Sequence, residues 1–165
     1  MAVPTLIATA GAVNANSYVT LVEADLYHDS RLHNAAWLAG TTDQKNQALL
    51  WATQILDRLD FQGRKTNDID KQSLRHPRVG MSDQDGFAVD STTIHYQVKN
   101  ATCELAGLLI STDRTADAGT EGFREIMVGP IVLKVKASDR AEVIAKEVYA
   151  LLKGLIIIGL EVSRG

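Results

Sequence analysis

Five cationic side chains, Arg64, Lys65, Lys71, Arg75 and Arg78, fall within one polar segment that holds only two carboxylates, Asp68 and Asp70. A local excess of this kind can pair with phosphate oxygens, which dominate the binding of nucleic-acid backbones. Further on, Asp83-x-Asp85-Gly86 has the opening spacing of a calcium loop. Such a loop also needs a bidentate carboxylate at its twelfth position, and that position is Ile94. The segment reads instead as a tight turn, with Asp side chains bonding local backbone and Gly86 at positive φ. A nuclease centre on Asp83 and Asp85 lacks an identifiable base and a third ligand. Asp25, His28 and Asp29 stand within one helical turn and could share a divalent ion. A metal site needs converging ligands with a supporting shell, so a solvated polar face is the expected role. Cys103 lies beside an apolar stripe and should pack rather than react. No phosphate-cradling glycine loop, H-E-x-x-H or G-x-S-x-G is present, and no catalytic residue, metal or cofactor is expected.

Composition narrows the class. The chain has 165 residues, 45% of them apolar and 22% charged, which suits one folded domain with its own core. Its 17 Lys and Arg stand against 20 Asp and Glu, for a net charge of −3. A dedicated duplex-DNA binder carries a basic excess, so any nucleic-acid contact must be local or shared among copies. The lone cysteine excludes an intrachain disulfide and a cysteine-rich zinc site, and fits a reducing cytosol. Met1-Ala-Val-Pro-Thr-Leu-Ile has no charged residue before its apolar run, a poor match to a secretory signal. The longest apolar stretch, Leu151 to Val162, is too short to span a bilayer and contains Lys153 and Glu161, so no membrane partner is expected.

The elements that would position these residues follow from capping signals and periodicity. Residues 1–16 read as an extended arm. Thr20-x-x-Glu23 matches a capping box and predicts a helix from Leu21 to Leu32, extending toward Leu38 and stopped by Gly40. Thr41-x-x-Gln44 opens a second helix to about Asp60, with Ala48, Leu49, Ala52, Ile55, Leu56 and Leu59 on its buried face. A third begins near Ser91 and carries Ile94, Val98, Ala101, Leu105 and Leu108. Between them lies a loop over 63–89, long enough to imply function or partial disorder. Residues 123–136 read as a hairpin turning at Gly129-Pro130. A last helix starts near Ser138 with Ile144, Val148, Leu151, Leu152 and Leu155 inside, followed by an apolar tail over 156–165. The expected fold is α+β, mainly α: about four bundled helices, a protruding hairpin, and extended arms at both ends. Most of the nine aromatic rings sit in or beside expected helices, where a core role is the default. The segment from Arg64 to Arg78 has none, which argues against a base-stacking platform there.

Several segments together resemble a family of tailed-phage proteins. They are Asn16-Ser17-Tyr18-Val19-Thr20-Leu21 with Glu23-Ala24-Asp25 and Tyr27, then Trp51-Ala52-Thr53 with Leu56-Asp57, and Phe61-Gln62-Gly63-Arg64. Gln72-x-Leu74, Pro77-Arg78-x-Gly80, Asp83-x-Asp85-Gly86, Val98 to Ala106 and Val128-Gly129-Pro130-Ile131 continue the likeness in order. The chain departs from it at His76, at Thr93-Ile94 and at Lys153-Gly154. The family is often labelled DnaT-like and single-stranded-DNA-binding, but resembles head–tail connectors. The resemblance implies a non-enzymatic neck adaptor of the virion, assembled in the host cytoplasm as a ring of twelve copies under the portal. Its implied partners are the portal protein and a tail or tail-completion protein, with genome DNA passing through the channel without sequence-specific binding. Ile157, Ile158, Leu160, Val162 and Arg164 would then meet the portal or a neighbour. Arg64, Lys65, Lys71, Arg75 and Arg78 would contact tail, neighbour or DNA, and Gly129 and Pro130 would form a hairpin tip. The alternative from the same residues is a single-stranded-DNA-binding replication protein.

Overall fold

The computed structural model describes residues 3–68, 71–115, 125–128, 131–134 and 142–157. Both capping boxes form. Thr20 opens α1 (Leu21–Asp29): its hydroxyl accepts the Glu23 N–H, and the Glu23 carboxylate accepts the Thr20 N–H. The expected long first helix is two short ones. Ser30 and Asn34 donate side-chain hydrogen bonds to the Tyr27 and His28 carbonyls, and His33 turns the chain at φ +62°. Local side-chain bonds of this sort compete with the helical ladder. α2 (Ala35–Ala39) follows and buries Trp37.

Thr41 and Gln44 cap α3 (Thr42–Leu56) reciprocally. The predicted stripe is buried from Ala48 to Leu56, with Leu59 half-buried. The helix stops at Leu56 rather than near Asp60. The Asp57 carboxylate there accepts the Tyr18 hydroxyl and the Arg75 backbone N–H, tying three segments together where the chain turns away.

The stretch from 63 to 89 is not a structureless loop. β1 (Arg64–Lys65) pairs antiparallel with β2 (Arg78–Val79), and Ser82 bridges Ala88 across a second, smaller turn. Gly63 sits at φ +67°, and a Cβ there would run into the Val79 carbonyl. α4 (Tyr96–Ser111) begins five residues later than Ser91. Asp90 instead holds Thr92 and Thr93 in a turn ahead of it.

β3 (Glu125–Val128) and β4 (Ile131–Lys134) form the predicted antiparallel pair, with Val128 opposite Ile131; the turn residues Gly129 and Pro130 lie outside the described residues. The last helix, α5 (Lys146–Leu151), starts well after the predicted Ser138, which also lies outside them. Residues 142–145 are not helical, although Ile144 is buried as the stripe requires. α4 packs along α3 on one side and against α5 on another, enclosing Leu49, Leu56, Val98, Leu105, Val148, Leu152 and Leu155. The fold is therefore α+β and mainly helical, with five helices and small antiparallel hairpins among the described residues. Among the described residues no helix is long and apolar enough to cross a membrane.

Candidate nucleic-acid interface

Three of the five clustered cations are occupied by groups of the loop and of the segment just before it. Arg78 is only 8% exposed. Its guanidinium donates to the carbonyls of Gln62 at 2.6 Å, Gly63 at 2.6 Å, Phe61 at 3.3 Å and Arg75 at 3.3 Å. A guanidinium has five N–H donors in a fixed fork and cannot be deprotonated in practice, so it suits a hub of carbonyls that face inward. Lys65 donates from Nζ to the Gln72 and Ser73 carbonyls. Arg75 donates to the Leu59 carbonyl and pairs with Asp60 at 3.5 Å. Gln72, fully buried, completes the frame by donating to the Leu74 and Pro77 carbonyls and accepting the Asn67 N–H.

Of the predicted patch, Arg64 and Lys71 remain exposed, with no ion pair or side-chain hydrogen bond among the described residues. The patch as a five-cation surface is therefore corrected to two. The physical reason is local: a chain turning this tightly has inward carbonyls that need donors, and buried carbonyls are satisfied in nearly all proteins.

The N-terminal segment is fastened to the same loop. Ser73 donates from Oγ to Ala15 and Ala12 carbonyls, Asn67 donates to the Gly11 carbonyl, and Asn16 bonds back to residues 5 and 7. At the other end, Ile156 bridges Phe61, Gln62 N–H donates to the Leu155 carbonyl, and Ile157 N–H donates to the Asp60 carbonyl. The tail thus begins as an added strand on its own chain. Ile157 is exposed; Ile158, Leu160, Val162 and Arg164 lie outside the described residues.

The other singled-out groups have structural roles. His28 is not on a solvated face. It is buried, stacked on Trp37 at 4.2 Å, and its Nε2 bonds the Cys103 carbonyl at 3.0 Å; burial holds its pKa below the usual value. Asp25 accepts from Trp37 Nε1 and Lys45 Nζ, both at 2.8 Å. Burial alone would raise its pKa, but these two bonds outweigh that and lower it. Asp83 makes the expected turn, accepting the N–H of Asp85 and Phe87, with Gly86 at φ +87°. Cys103 is buried, and desolvation pushes its thiol up to about 12.

Four rings are exposed, Phe87 at 72%, Tyr96 at 65%, Trp51 at 40% and Tyr149 at 38%; the last three fall within expected helices, where a core role was the default. Tyr96 and Trp51 both stand off the apolar stripes of their helices, which was the available signal. Trp51 borders a groove of about 470 Å³ between α3 and the end of α4, with Gln44, Gln47, Leu109 and Ile110. Exposed rings beside exposed cations are what single-stranded nucleic acid needs, since bases stack and phosphates pair.

Comparison with known proteins adds the family. A family model described as "Putative DnaT-like ssDNA binding protein" matches residues 5–165. No curated protein and no solved structure matches the chain. The family's description names single-stranded DNA, not a head–tail junction. It overturns the connector reading: the structural role in a virion neck, the ring under a portal, the portal and tail partners, and genome DNA passing without being bound. With that correction, the chain belongs to the DnaT-like ssDNA binding protein family.

Proposed function

We propose that this protein binds single-stranded DNA and acts by binding rather than by turnover. The observation that carries the reading is the family match across nearly the whole chain. Exposed rings and unpaired cations on the described surface support it. The net charge of −3 favours a strand gripped at a few sites over one drawn in by a general positive field. The absence of turnover is supported by the Asp83 carboxylate, which is engaged by two backbone N–H groups of its own turn. Fluorescence anisotropy with labelled single-stranded and duplex oligonucleotides of one sequence tests it. Preference for the single strand is expected, with affinity falling modestly as salt rises, because each phosphate contact on a single strand contributes a slope of about −0.7. Equal affinity for the duplex, or no binding to either, would sink the proposal.

A further inference from the structure

α3 has an unusual outer face. The exposed residues of α3 are Thr42, Asp43, Gln44, Gln47, Trp51 and Gln54, and Arg58 is exposed two residues beyond its end. Gln44, Gln47, Trp51 and Gln54 recur at helical spacing and so line one side of the helix over about 15 Å. Solvent faces of helices ordinarily carry acids and bases in mixture. Here three amides and one indole stand together; Asp43 in the first turn is the one exposed carboxylate of the helix, and the Arg58 guanidinium follows its C-terminal end. Among the described residues Gln47, Gln54 and Arg58 make no side-chain hydrogen bond or ion pair, unlike most cations of the loop. The carboxylate in the wall of the Trp51 groove, Asp113, accepts the Thr115 N–H and hydroxyl on Oδ1.

Phe87 is more exposed than Trp51 but stands in an acidic turn. Asp83, Asp85 and Asp90 surround it in sequence, and no cation falls between Met81 and Tyr96. A phosphodiester would be repelled there. Trp51 shares its groove with the Asp113 carboxylate, and the cation that follows it along the chain is Arg58, two residues past the end of α3, which lines a second groove of about 390 Å³ with Tyr149 and Glu142.

We propose that the outer face of α3 is the track of the bound strand. A base stacks on Trp51, the amides of Gln47 and Gln54 bond base edges or sugar–phosphate oxygens, and Arg58 pairs with a phosphate. This deepens the single-strand-binding reading and rests on it. Amides offer both donors and acceptors, so the face takes any unpaired base, and stacking tolerates every base because each has a π-face.

The chain carries a built-in reporter for the test. It has two tryptophans; Trp37 is 1% exposed and stacked on His28, while Trp51 is 40% exposed. Titrating the full chain with oligothymidylate should quench emission in step with the anisotropy of a labelled oligonucleotide. Trp51→Ala should weaken binding roughly tenfold to a hundredfold, as loss of one base–aromatic stack does. Trp51→Phe should retain most of the affinity while abolishing the quench, which separates lost stacking from a damaged fold. Arg58→Ala should reduce the salt slope by about 0.7. Normal binding with unchanged emission, or a Trp51→Ala variant that binds like the parent, would overturn the α3 track and leave the single-strand reading standing. Absence of any oligonucleotide binding overturns both. Emission that shifts with protein concentration alone, and not with oligonucleotide, would assign the face to a second copy of this chain and overturn the track.

Discussion

The loop over 63–89 and the outer face of α3 invert the usual relation between charge and availability. The loop holds five cations, three of them turned to carbonyls or to Asp60. The α3 face holds no exposed cation of its own; Arg58 follows two residues past its end and is unpaired among the described residues. A charge tally along the sequence ranks the loop first. A tally of unengaged donors brings the α3 face level with it and adds a ring. What differs is the backbone beneath. A helix satisfies its own carbonyls along its length, so side chains on its outer face are left for partners. A tight loop does not, and recruits whatever donors lie nearby.

Substitutions can break or sharpen this contrast. The largest effect is expected from Arg78→Met, which leaves the Phe61, Gln62, Gly63 and Arg75 carbonyls without their donor. A loss of about 3 kcal/mol or more in urea unfolding is expected, since each buried group left unpaired costs about 1–3 kcal/mol. Arg58→Met, by comparison, should change stability by about 0.5 kcal/mol or less. If the two variants unfold alike, the contrast is wrong.

Next comes acid sensitivity at His76. This residue is buried between Tyr18 and Phe61. Burial first, and then the charges of Arg78 and His95, lower its pKa from 6.5 to about 3. The unfolded chain therefore takes up a proton more readily than the folded one. The stabilising contribution of neutral His76 is complete above about pH 6.5 and is lost progressively as pH falls toward 3, on the order of a few kcal/mol. His76→Phe should flatten the difference in urea midpoints across that window, and His28, shifted in the same direction, should leave a smaller residue of it. Equal pH profiles for the parent and His76→Phe would show that the loop does not exclude the charge.

Lys65→Met should cost about 1–2 kcal/mol, because two carbonyls lose a charged donor, with little change in oligonucleotide affinity. Arg64→Ala and Lys71→Ala should do the reverse, leaving stability alone and each lowering the salt slope by about 0.7 if the strand reaches the loop. The smallest effect is expected from Phe87→Ala, with affinity within about twofold of the parent, since its turn carries Asp83, Asp85 and Asp90 and no Lys or Arg of its own to hold the phosphates of a stacked base. A large loss there would move the strand from α3 to the loop.

Much of the scaffold was legible in the residues. The Thr20 and Thr41 capping boxes, the stripes of α3 and α4 and the register at Val128 and Ile131 follow from local hydrogen bonding and periodicity, which short segments encode by themselves. The break after Asp29 was not, because it depends on Ser30 and Asn34 choosing carbonyls of the preceding turn over solvent. The late start of α5 was missed for a related reason: Ile144 is buried from an irregular segment, and burial alone does not distinguish a helix from a coil. For the site, composition located the cations but not their partners. Arg78 and Arg64 look alike in sequence, and only the carbonyls of Phe61, Gln62 and Gly63 tell them apart. Trp51 could have been found, standing about a quarter turn off its helix's apolar stripe, had position on the helix outweighed the habit of burying rings.

The carbonyl hub around Arg78 bears on how the molecule moves as well as on how it holds together. Thr66 N–H is bonded to the Pro77 carbonyl, which Gln72 also holds, and Arg75 N–H to the Asp57 carboxylate just past α3. Their amide hydrogens should exchange with solvent slowly, on the timescale of core opening rather than of loop fluctuation. A strand arriving at Arg64 then meets the β1–β2 pair already braced by these bonds, and little conformational entropy is lost on binding. Affinity should therefore be nearly independent of agents that stiffen or loosen loops, until they unfold the domain as a whole.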